Sequence, residues 1–328
     1  MKRLLKSIVV GVAGLAMLSG VALAQDKPEK TDITIGLAVT VPTMLPVFLA
    51  LDEGYFKEEG LNVKIIAFSG GTDLVRAMIA GSVDVGLSGL ASVTVGIKAD
   101  QPLKVFYGGF NMVMFEWYAV KGITSLADTK GKRFGVARLG SSTDVLTRYA
   151  LKKNGIDPKS VQIVQGGESS PRLAAMEAGQ LDVNILEPPA TYAAADRGLN
   201  LIFKQSDIAP DSPYHTFFAT EDFIKKDPNT VRALLRGFIK GVRRAKADKE
   251  RSVKLLEDRI KLSKDYSART YDNFIGQIYE DGRMPSDAGM QSFWEIGIMA
   301  GDFTEPWPKD RYLDSTFIDS YNQWKPAE

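Results

Sequence analysis

Ala80-Gly81-Ser82-Val83-Asp84-Val85 and Ala178-Gly179-Gln180-Leu181-Asp182-Val183 are two copies of one pattern, and they decide the fold. Each copy follows an apolar helical stretch and leads into a short apolar segment typical of a strand. A glycine turn, Gly70-Gly71 or Gly166-Gly167, precedes each copy between a predicted strand and the helix. The same order of strand, glycine turn, helix and strand in both halves predicts an α/β protein with two similar lobes. Each lobe is expected to hold a mainly parallel sheet flanked by helices.

The rest of the chain predicts how these lobes are joined. Apolar residues at three- and four-residue spacing in the last third indicate helices that return to cover the first lobe. We therefore assign residues 31–112 to the first part of lobe 1, residues 113–215 to lobe 2 and residues 216–328 to the return. The chain then crosses twice, near Gly109–Tyr118 and Ser212–Ala219, and two crossings predict a hinge beside a cleft.

The N-terminus is typical of a secretory signal peptide. Basic residues within the first six positions precede an apolar run from Ile8 to Val21, and Ala22-Leu23-Ala24 is a small-x-small cleavage site. The run is short for a membrane span and contains glycines. We expect cleavage after Ala24, which removes residues 1–24. No cysteine follows the site, so the mature chain is expected to be a soluble periplasmic protein and not a lipoprotein.

The composition argues against several classes of activity. The 328 residues carry a net charge of +1, a single histidine (His215) and no cysteine. This charge gives no general attraction to nucleic acid. The lack of cysteine removes disulfides and thiol chemistry, and one histidine is too few for a multi-histidine metal site. The short motifs of P-loop, dinucleotide-binding, serine-hydrolase and zinc-protease proteins are absent as well. We expect a non-enzymatic protein with no metal and no cofactor.

Small polar loops follow the predicted strands at the sheet edge where ligands bind to open α/β sheets. The candidate binding residues in these loops are Thr40, Pro42, Thr43, Ser69, Gly70, Ser88, Gly89, Gly140, Ser141, Ser142, Thr143 and Glu187. Hydroxyl and N–H groups at the helix start formed by residues 140–143 could hold an anion, whereas ordinary N-capping explains the same residues. Glu187 could accept hydrogen bonds from a ligand or be a solvated loop acid.

Further candidates lie beside these loops or at the crossings. Arg138 ends a strand next to the 140–143 turn and could pair with a ligand anion, although an arginine at this place is more often a surface residue. His215 is either a hydrogen-bonding residue of the cleft or an inert histidine of the second crossing. Aromatic residues near the crossings, such as Phe115 and Tyr214, could line a pocket or pack in a core.

The order of several further motifs is that of a known family. The motifs are Ala50-x-x-x-Gly54-Tyr55-Phe56, Glu59-Gly60-Leu61-x-Val63, the two Ala-Gly-x-x-Asp copies, Leu126-Ala127-Asp128-x-Lys130-Gly131-Lys132 and Gly140-Ser141-Ser142. From about Ile33 to Tyr321 the chain resembles the periplasmic solute-binding proteins of ABC importers of the sulfonate, taurine and nitrate type, a group related to thiamine-pyrimidine binders. The resemblance implies the two-lobed type II periplasmic binding fold, which closes on one small molecule.

The resemblance also implies partners and ligand contacts. A monomeric binding protein would deliver a small, anionic organic solute to an inner-membrane ABC permease with its cytoplasmic ATPase. Carried over position by position, the ligand contacts would be the loop residues given above together with Asn111 of the first crossing. Leu186 precedes Glu187 where several members carry Trp. This departure argues against a taurine-like or alkanesulfonate ligand, and a carboxylate or a heterocycle stays open.

Two other functions remain open at this point. The wider resemblance includes a pyrimidine synthase of the same fold, whose chemistry is expected to need a pyridoxal-binding lysine and a cluster of His and Cys. A single histidine and the lack of cysteine argue against that enzyme. The second alternative is a periplasmic sensor subunit that passes a ligand signal to a membrane receptor, and the sequence does not distinguish it from a transport subunit.

Overall fold

A computed structural model describes residues 27–209 and 211–327. The proposed signal peptide, residues 1–24, lies outside the described residues, so cleavage after Ala24 stays a prediction. In the part of the chain that is described, no helix is both long enough and apolar enough to cross a membrane.

Strands and helices alternate through the first two thirds of the described chain, and helices follow. The first part contains β1 (Asp32–Leu37), α1 (Leu45–Asp52), α2 (Tyr55–Glu58), β2 (Asn62–Ala67), α3 (Gly71–Ile79), β3 (Val85–Ser88), α4 (Leu90–Lys98) and β4 (Leu103–Asn111). The middle part contains β5 (Glu116–Ala119), β6 (Arg133–Val136), α5 (Ser142–Lys153), β7 (Gln162–Gln165), α6 (Ser169–Glu177), β8 (Val183–Leu186), α7 (Ala190–Asp196) and β9 (Asn200–Lys204). The last part contains β10 (Pro213–Thr220), α8 (Glu221–Lys226), α9 (Pro228–Ala247), α10 (Lys249–Ile260), α11 (Lys264–Phe274), α12 (Asp287–Ala300), α13 (Lys309–Tyr312), α14 (Thr316–Asp319) and α15 (Tyr321–Trp324).

The strands form two five-stranded sheets with the same internal order. The first sheet runs β2-β1-β3-β10-β4 and the second runs β7-β6-β8-β5-β9. In the first sheet β1 is parallel to β2 and β3, while β10 is antiparallel to β3 and β4. In the second sheet β6 is parallel to β7 and β8, while β5 is antiparallel to β8 and β9. The prediction of two similar α/β halves is confirmed. Each sheet is mixed because one strand enters it directly from the other sheet.

The repeated sequence pattern forms the same corner in each sheet. The glycine of each copy ends the preceding helix with a φ of 75° or 70°, in the left-handed region that favours glycine. The carboxylate of Asp84 accepts the N–H of Thr34 at 2.8 Å, and that of Asp182 accepts the N–H of Arg133 at 2.8 Å. Each corner fixes β3 against β1, or β8 against β6, at the amino end of these strands.

The second crossing lies upstream of its predicted position. The chain passes between the sheets through residues 112–115 and, among the described residues, through 205–209 and 211–212. Most of the predicted segment Ser212–Ala219 belongs instead to β10, an interior strand of the first sheet. Within it, His215 pairs with Phe110 of β4. The first sheet therefore resumes at Pro213, inside the range that the sequence assigned to lobe 2, because paired strand residues belong to the sheet that they complete.

The two crossings are bonded to one another. The buried side-chain Oε1 of Gln205 accepts the N–H groups of Met114 and Phe115 at 3.2 and 3.3 Å. A backbone bond from the N–H of Gln205 to the carbonyl of Phe115, 2.9 Å long, closes the same contact. This arrangement places both crossings side by side at the base of the space between the sheets.

Each sheet is covered by helices on both faces. One face of the first sheet packs on α1 and α9, and the other packs on α3, α4 and α12. The helices α5, α6 and α7 cover the second sheet. The helices after β10 pack mainly on the first sheet, but two of them also touch the second lobe. Tyr266 of α11 donates to Asp196 of α7 at 2.8 Å, and Ile296 of α12 lies in a core of the second sheet.

Candidate functional site

A cavity of about 170 Å³ lies between the carboxyl ends of the two sheets. The loops after β1, β2 and β3 form one side of it, and the loops after β6, β7 and β8 form the other. Residues of the second crossing and of α12 complete the wall. The parallel strands of both sheets therefore end at one shared space, which is where open α/β sheets bind ligands.

Most of the predicted binding residues line this cavity. They are Ser69, Gly70, Ser88, Gly89, Arg138, Gly140, Ser141, Ser142, Thr143, Glu187 and His215. They come from both sheets and face each other: a Cβ atom added at Gly89 would lie 3.3 Å from the Oγ of Ser142. The role of these residues as ligand contacts stays a prediction.

Four predicted residues lie away from the cavity wall. Thr40 is exposed, and Pro42 and Thr43 are buried where the chain turns into α1. Ala38 and Val39 at the start of this loop line the cavity, whereas Pro42 and Thr43 are buried where α1 packs against α9. Asn111 ends β4 and donates from Nδ2 to the carbonyl of Arg283 at 3.0 Å. That contact directs its side chain to the loop before α12.

The helix start predicted to hold an anion already contains a carboxylate. The N–H of Gly140 donates to Asp144 at 2.8 Å, and this aspartate is 4% exposed. The hydroxyls of the turn are also used internally, since Ser141 donates to the carbonyl of Arg138 at 2.6 Å and Thr143 accepts the N–H of Ala137 at 2.9 Å. Asp144 is itself paired with Arg148 at 2.8 Å, and the side chain of the N-cap residue Ser141 makes no hydrogen bond to the helix N–H groups. The role of the turn in holding an anion stays a prediction.

Arg138 joins the two sides of the cleft. Its Nη2 lies 3.1 Å from Oδ2 of Asp73, which belongs to α3 on the first sheet. Asp73 also pairs with Arg76 of its own helix at 3.4 Å. All three side chains are partly exposed to solvent. Arg138 thus pairs with Asp73 across the cleft, and its contact with a ligand anion stays a prediction.

A buried arginine that sequence reasoning missed contributes a positive charge to the wall. Arg172 of α6 is 1% exposed, and it donates to the carbonyls of Gly167 and Ile185 and to the hydroxyl of Ser169. Its Nε has no hydrogen-bond partner within the described residues. Burial lowers the pKa of this guanidinium to about 10, and the nearby Glu187 opposes the shift, so Arg172 stays charged at neutral pH.

The surroundings of Glu187 shift the pKa of its carboxyl group. It follows β8, and its carboxylate accepts the hydroxyl hydrogen of Tyr214 of β10. Burial raises the pKa of Glu187 to about 6, while the hydrogen bond from Tyr214 and the charge of Arg172 lower it. Burial and the neighbouring Glu187 raise the pKa of Tyr214 well above 10. The pair offers an acceptor that changes charge near pH 6, and the bond joins the two sheets.

His215 is neutral at physiological pH because burial lowers its pKa to about 3. Its ring lies edge-on to Tyr214, with 4.1 Å between the ring centroids, and its Nδ1 has no partner within the described residues. Ser88, on the adjacent strand, also has an unpartnered hydroxyl. These two groups are available for hydrogen bonding, but no bond joins them as a nucleophile and its base.

Apolar side chains cover the remaining wall. Phe115 comes from the first crossing, and Phe293, Ile296 and Phe303 come from α12 and the turn after it. The mixture of apolar walls with a few fixed polar groups is typical of sites that bind small organic molecules. Within residues 27–209 and 211–327, no cluster of three His, Cys, Asp or Glu side chains could hold a metal ion.

The cavity residues that sequence reasoning missed differ in whether the sequence carries a signal for them. Arg172 lies on the buried face of α6 with Met176, so a charged residue at an apolar position was the available signal. The sequence carries no such signal for Phe293, Ile296 and Phe303, because their place in the wall depends on how α12 crosses between the sheets.

Comparisons with known proteins show the family to which this architecture belongs. A family model described as NMT1/THI5 like matches residues 41–252. A putative binding protein of Brucella abortus is 27% identical over 317 residues, which cover 92% of this chain and 95% of that protein. The taurine-binding periplasmic protein of Escherichia coli is 29% identical over 190 residues, or 57% of this chain and 59% of that protein.

Another relative is an enzyme by name. The 4-amino-5-hydroxymethyl-2-methylpyrimidine phosphate synthase of Saccharomyces cerevisiae is 25% identical over 254 residues, which cover 70% of this chain and 72% of that protein. Among solved structures, the alkanesulfonate-binding protein of Xanthomonas axonopodis pv. citri bound to MOPS superposes with a TM-score of 0.73. It is 17% identical and covers 88% of this chain and 99% of its own. At this identity the likeness shows the fold alone, which is the periplasmic binding protein fold.

Proposed function

The chain belongs to the NMT1/THI5-like family, and from this we propose that it is the periplasmic solute-binding subunit of an ABC importer. The cavity between the lobes captures one small organic solute, and an inner-membrane permease with its ATPase receives it. The sequence features of export support the location, and the relatives named as binding proteins support the role.

The observation that carries this proposal is a small cavity whose walls come from both sheets. A space of about 170 Å³ is below the roughly 300–1,000 Å³ of typical drug-sized pockets. It therefore suits a solute with few heavy atoms. A molecule there touches both sheets at once, so it stabilises the closed arrangement over any arrangement in which the sheets separate.

The wall favours a solute with an apolar body and at least one strongly hydrogen-bonding group. Arg172 supplies a buried positive charge, and Glu187 supplies an acceptor beside it. Ser88 and His215 offer further hydrogen-bonding atoms on the first sheet. We retain a sulfonate, a carboxylate or a heterocycle as the solute class and place its polar end toward Arg172 and Glu187, away from the 140–143 turn.

A thermal-shift screen of the mature protein tests this proposal. The panel contains aliphatic and aromatic sulfonates, carboxylates and nitrogen heterocycles. A solute at 100 times its dissociation constant stabilises the protein by about 2.7 kcal/mol, which is well resolved as a change in melting temperature. Calorimetric titration then gives the affinity of each solute that shifts the transition.

A pair of glycine variants ties binding to this cavity. Gly89→Val places methyl groups where Ser142 approaches from the other sheet, since a Cβ at Gly89 already lies 3.3 Å from Ser142 Oγ. Gly276→Val is the matched control, because a Cβ at Gly276 meets nothing within 4 Å. We expect the solute-dependent shift to disappear in Gly89→Val and to persist in Gly276→Val. Equal shifts in both variants would place the binding site elsewhere.

A synthase is the second candidate, because one relative carries the name of a pyrimidine phosphate synthase. A pyridoxal-dependent enzyme needs a lysine in its site to form an imine, and no lysine is among the described residues that line the cavity. Incubation with pyridoxal phosphate distinguishes the candidates. An imine absorption band that borohydride bleaches would support the synthase, and we expect none.

A further inference from the structure

The helix α12 is attached to both sheets. Its first half packs on the first sheet, where Met290 and Trp294 share a core with Phe303 of the following turn. Its second half packs on the second sheet, where Ile296 is 5% exposed in a core that includes Val145 of α5. A helix held in this way connects the two sheets, in addition to the two crossings of the chain and to α11, whose Tyr266 donates to Asp196 of α7 at 2.8 Å.

The start of α12 is fixed at the second crossing. The carboxylate of Asp211 accepts the N–H of Ser286 at 2.9 Å and its hydroxyl hydrogen at 2.8 Å. Ser286 caps the helix by accepting the N–H of Gly289 at 3.1 Å. The helix therefore begins beside the second crossing and runs along the cavity, which Phe293, Ile296 and Gly297 line.

The second half of α12 forms a wall of the cavity. Phe293, Ile296 and Gly297 of the helix line it, as do Asp302 and Phe303 of the turn. All of these residues lie beyond the segment 41–252 that the family model matches. The wall of the cavity thus includes the helix that packs on both sheets.

We propose that α12 is a movable third wall of the cleft. The segment Ile296–Phe303 separates from α5 when the lobes open, and it docks on α5 again when a solute is enclosed. This inference rests on the proposed function, because it describes how the proposed binding cleft opens and closes.

The contacts at each end of α12 determine to which sheet the helix stays attached when the two sheets move apart. On the first sheet the ring of Trp294 lies 5.2 Å from that of Phe303, 5.7 Å from that of Trp307 and 5.4 Å from that of Tyr312, measured between centroids. On the second sheet Ile296 is the fully buried contact. Because apolar stabilisation grows with the area removed from water, the aromatic cluster holds the helix more strongly than Ile296 does.

The remaining contacts with the second sheet are weaker still. Met299 and Ala300 are half-buried against its core. Lys152 of α5 donates to the carbonyl of Met299 at the exposed surface. When the sheets move apart, the α5 contacts are the ones that break, and α12 stays with the first sheet. A solute too long for the cavity would also hold α12 away from α5, so this wall selects for size.

Distances between pairs of spin labels test the inference without any solute. The chain has no cysteine, so labels can be attached at chosen exposed positions. A pair at Glu295→Cys and Lys153→Cys reports the distance between α12 and α5. The matched control pair, Glu295→Cys and Lys309→Cys, reports the distance between α12 and α13, which belongs to the first sheet through Tyr312.

We expect the α12–α5 pair to show a second, longer distance in the solute-free protein, while the α12–α13 pair keeps one narrow distance. The variant Ile296→Ala should raise the longer population severalfold, and Ile298→Ala, half-buried against the first sheet, should not. A single narrow α12–α5 distance would overturn the inference, as would a broad α12–α13 distance. Because no solute is added, a failed solute screen counts against the proposed function alone.

Discussion

The two sheets are alike at one end and different at the other. At the amino ends Asp84 and Asp182 make the same hydrogen bond, each 2.8 Å long, to the backbone of the neighbouring strand. At the carboxyl ends the first sheet presents the hydroxyl of Ser88, whereas the second presents the charged Arg172 and Glu187. The repeated residues therefore build the fold, and the residues that differ determine what the cleft can bind.

The space left by glycine shows the same divergence in the two glycine turns. A Cβ at Gly71 would lie 2.3 Å from the hydroxyl of Ser92 and 2.5 Å from that of Ser88, and a Cβ at Gly166 would lie 2.9 Å from Cγ of Arg172. Both glycines clear room for a neighbour beneath the turn. In the first sheet that neighbour is a neutral hydroxyl, and in the second it is a buried cation.

The largest expected effect comes from removing the shared corners. Asp84→Ala and Asp182→Ala each leave a backbone N–H without its charged acceptor, which costs about 2–3 kcal/mol. Urea denaturation at neutral pH measures the loss in unfolding free energy. We expect equal losses within about 1 kcal/mol and an unchanged affinity for any solute found in the screen. A loss of unfolding free energy at only one of the two positions would contradict the structural equivalence of the two corners.

The next effect is a difference between the two sides of the cleft in how the unfolding free energy depends on pH. Burial raises the pKa of Glu187 from 4.5 to about 6, so the folded protein binds more protons than the unfolded chain between these values. The stability from Glu187 is therefore full below pH 4.5 and is lost as the pH rises to 6. Burial lowers the pKa of His215 from 6.5 to about 3, so its stability is lost as the pH falls from 6.5.

The changes in unfolding free energy with pH that come from Glu187 and from His215 have opposite signs, and they cancel in the wild type. Each is about 1.4 kcal/mol per pH unit, or about 2 kcal/mol in total between pH 4.5 and 6. Relative to wild type, Glu187→Gln should gain stability as the pH rises across this window, and His215→Gln should lose it. Denaturation at several pH values measures both differences. Parallel curves for the two variants would contradict the opposite protonation states assigned to the two sides.

The smallest effect concerns the ion pair that joins the two sides. Arg138 and Arg76 both pair with Asp73, at 3.1 and 3.4 Å, but only Arg138 comes from the second sheet. Exposed pairs contribute about 0.2–1 kcal/mol, so Arg138→Gln should raise the open population by a factor of about 1.4 to 5. Arg76→Gln should leave that population unchanged. Label distances across the cleft report it, and equal effects of the two variants would contradict a bridging role for Arg138.

The amino ends of the sheets could be predicted from the sequence because their rules are local. A glycine that ends a helix, followed by an aspartate before a strand, specifies its contacts within a few residues. The loops at the carboxyl ends were predicted for a similar reason, since parallel strands bring their ends to one edge. Ser69, Ser142 and Glu187 therefore fell on the cavity wall as expected.

The remaining features depend on contacts that are distant in sequence. Thr43 left the cleft because α1 packs on α9, far along the chain. His215 belongs to a strand because it pairs with β4. The sequence around it predicts a crossing between the lobes instead. Ile296 reaches the cavity because α12 spans both sheets. No local pattern encodes these three placements, which arise from packing between segments that are far apart in the chain.

Closure of the two sheets on a solute is most directly tested by the distance between their outer parts. Spin labels at Lys64→Cys in β2 and Lys159→Cys beside β7 lie at exposed positions on the edges of the two sheets. We expect a broad, longer distance in the solute-free protein, and a single, shorter distance once a solute identified in the screen saturates the cleft. A distribution that stays unchanged at saturation would contradict closure as the mechanism of capture.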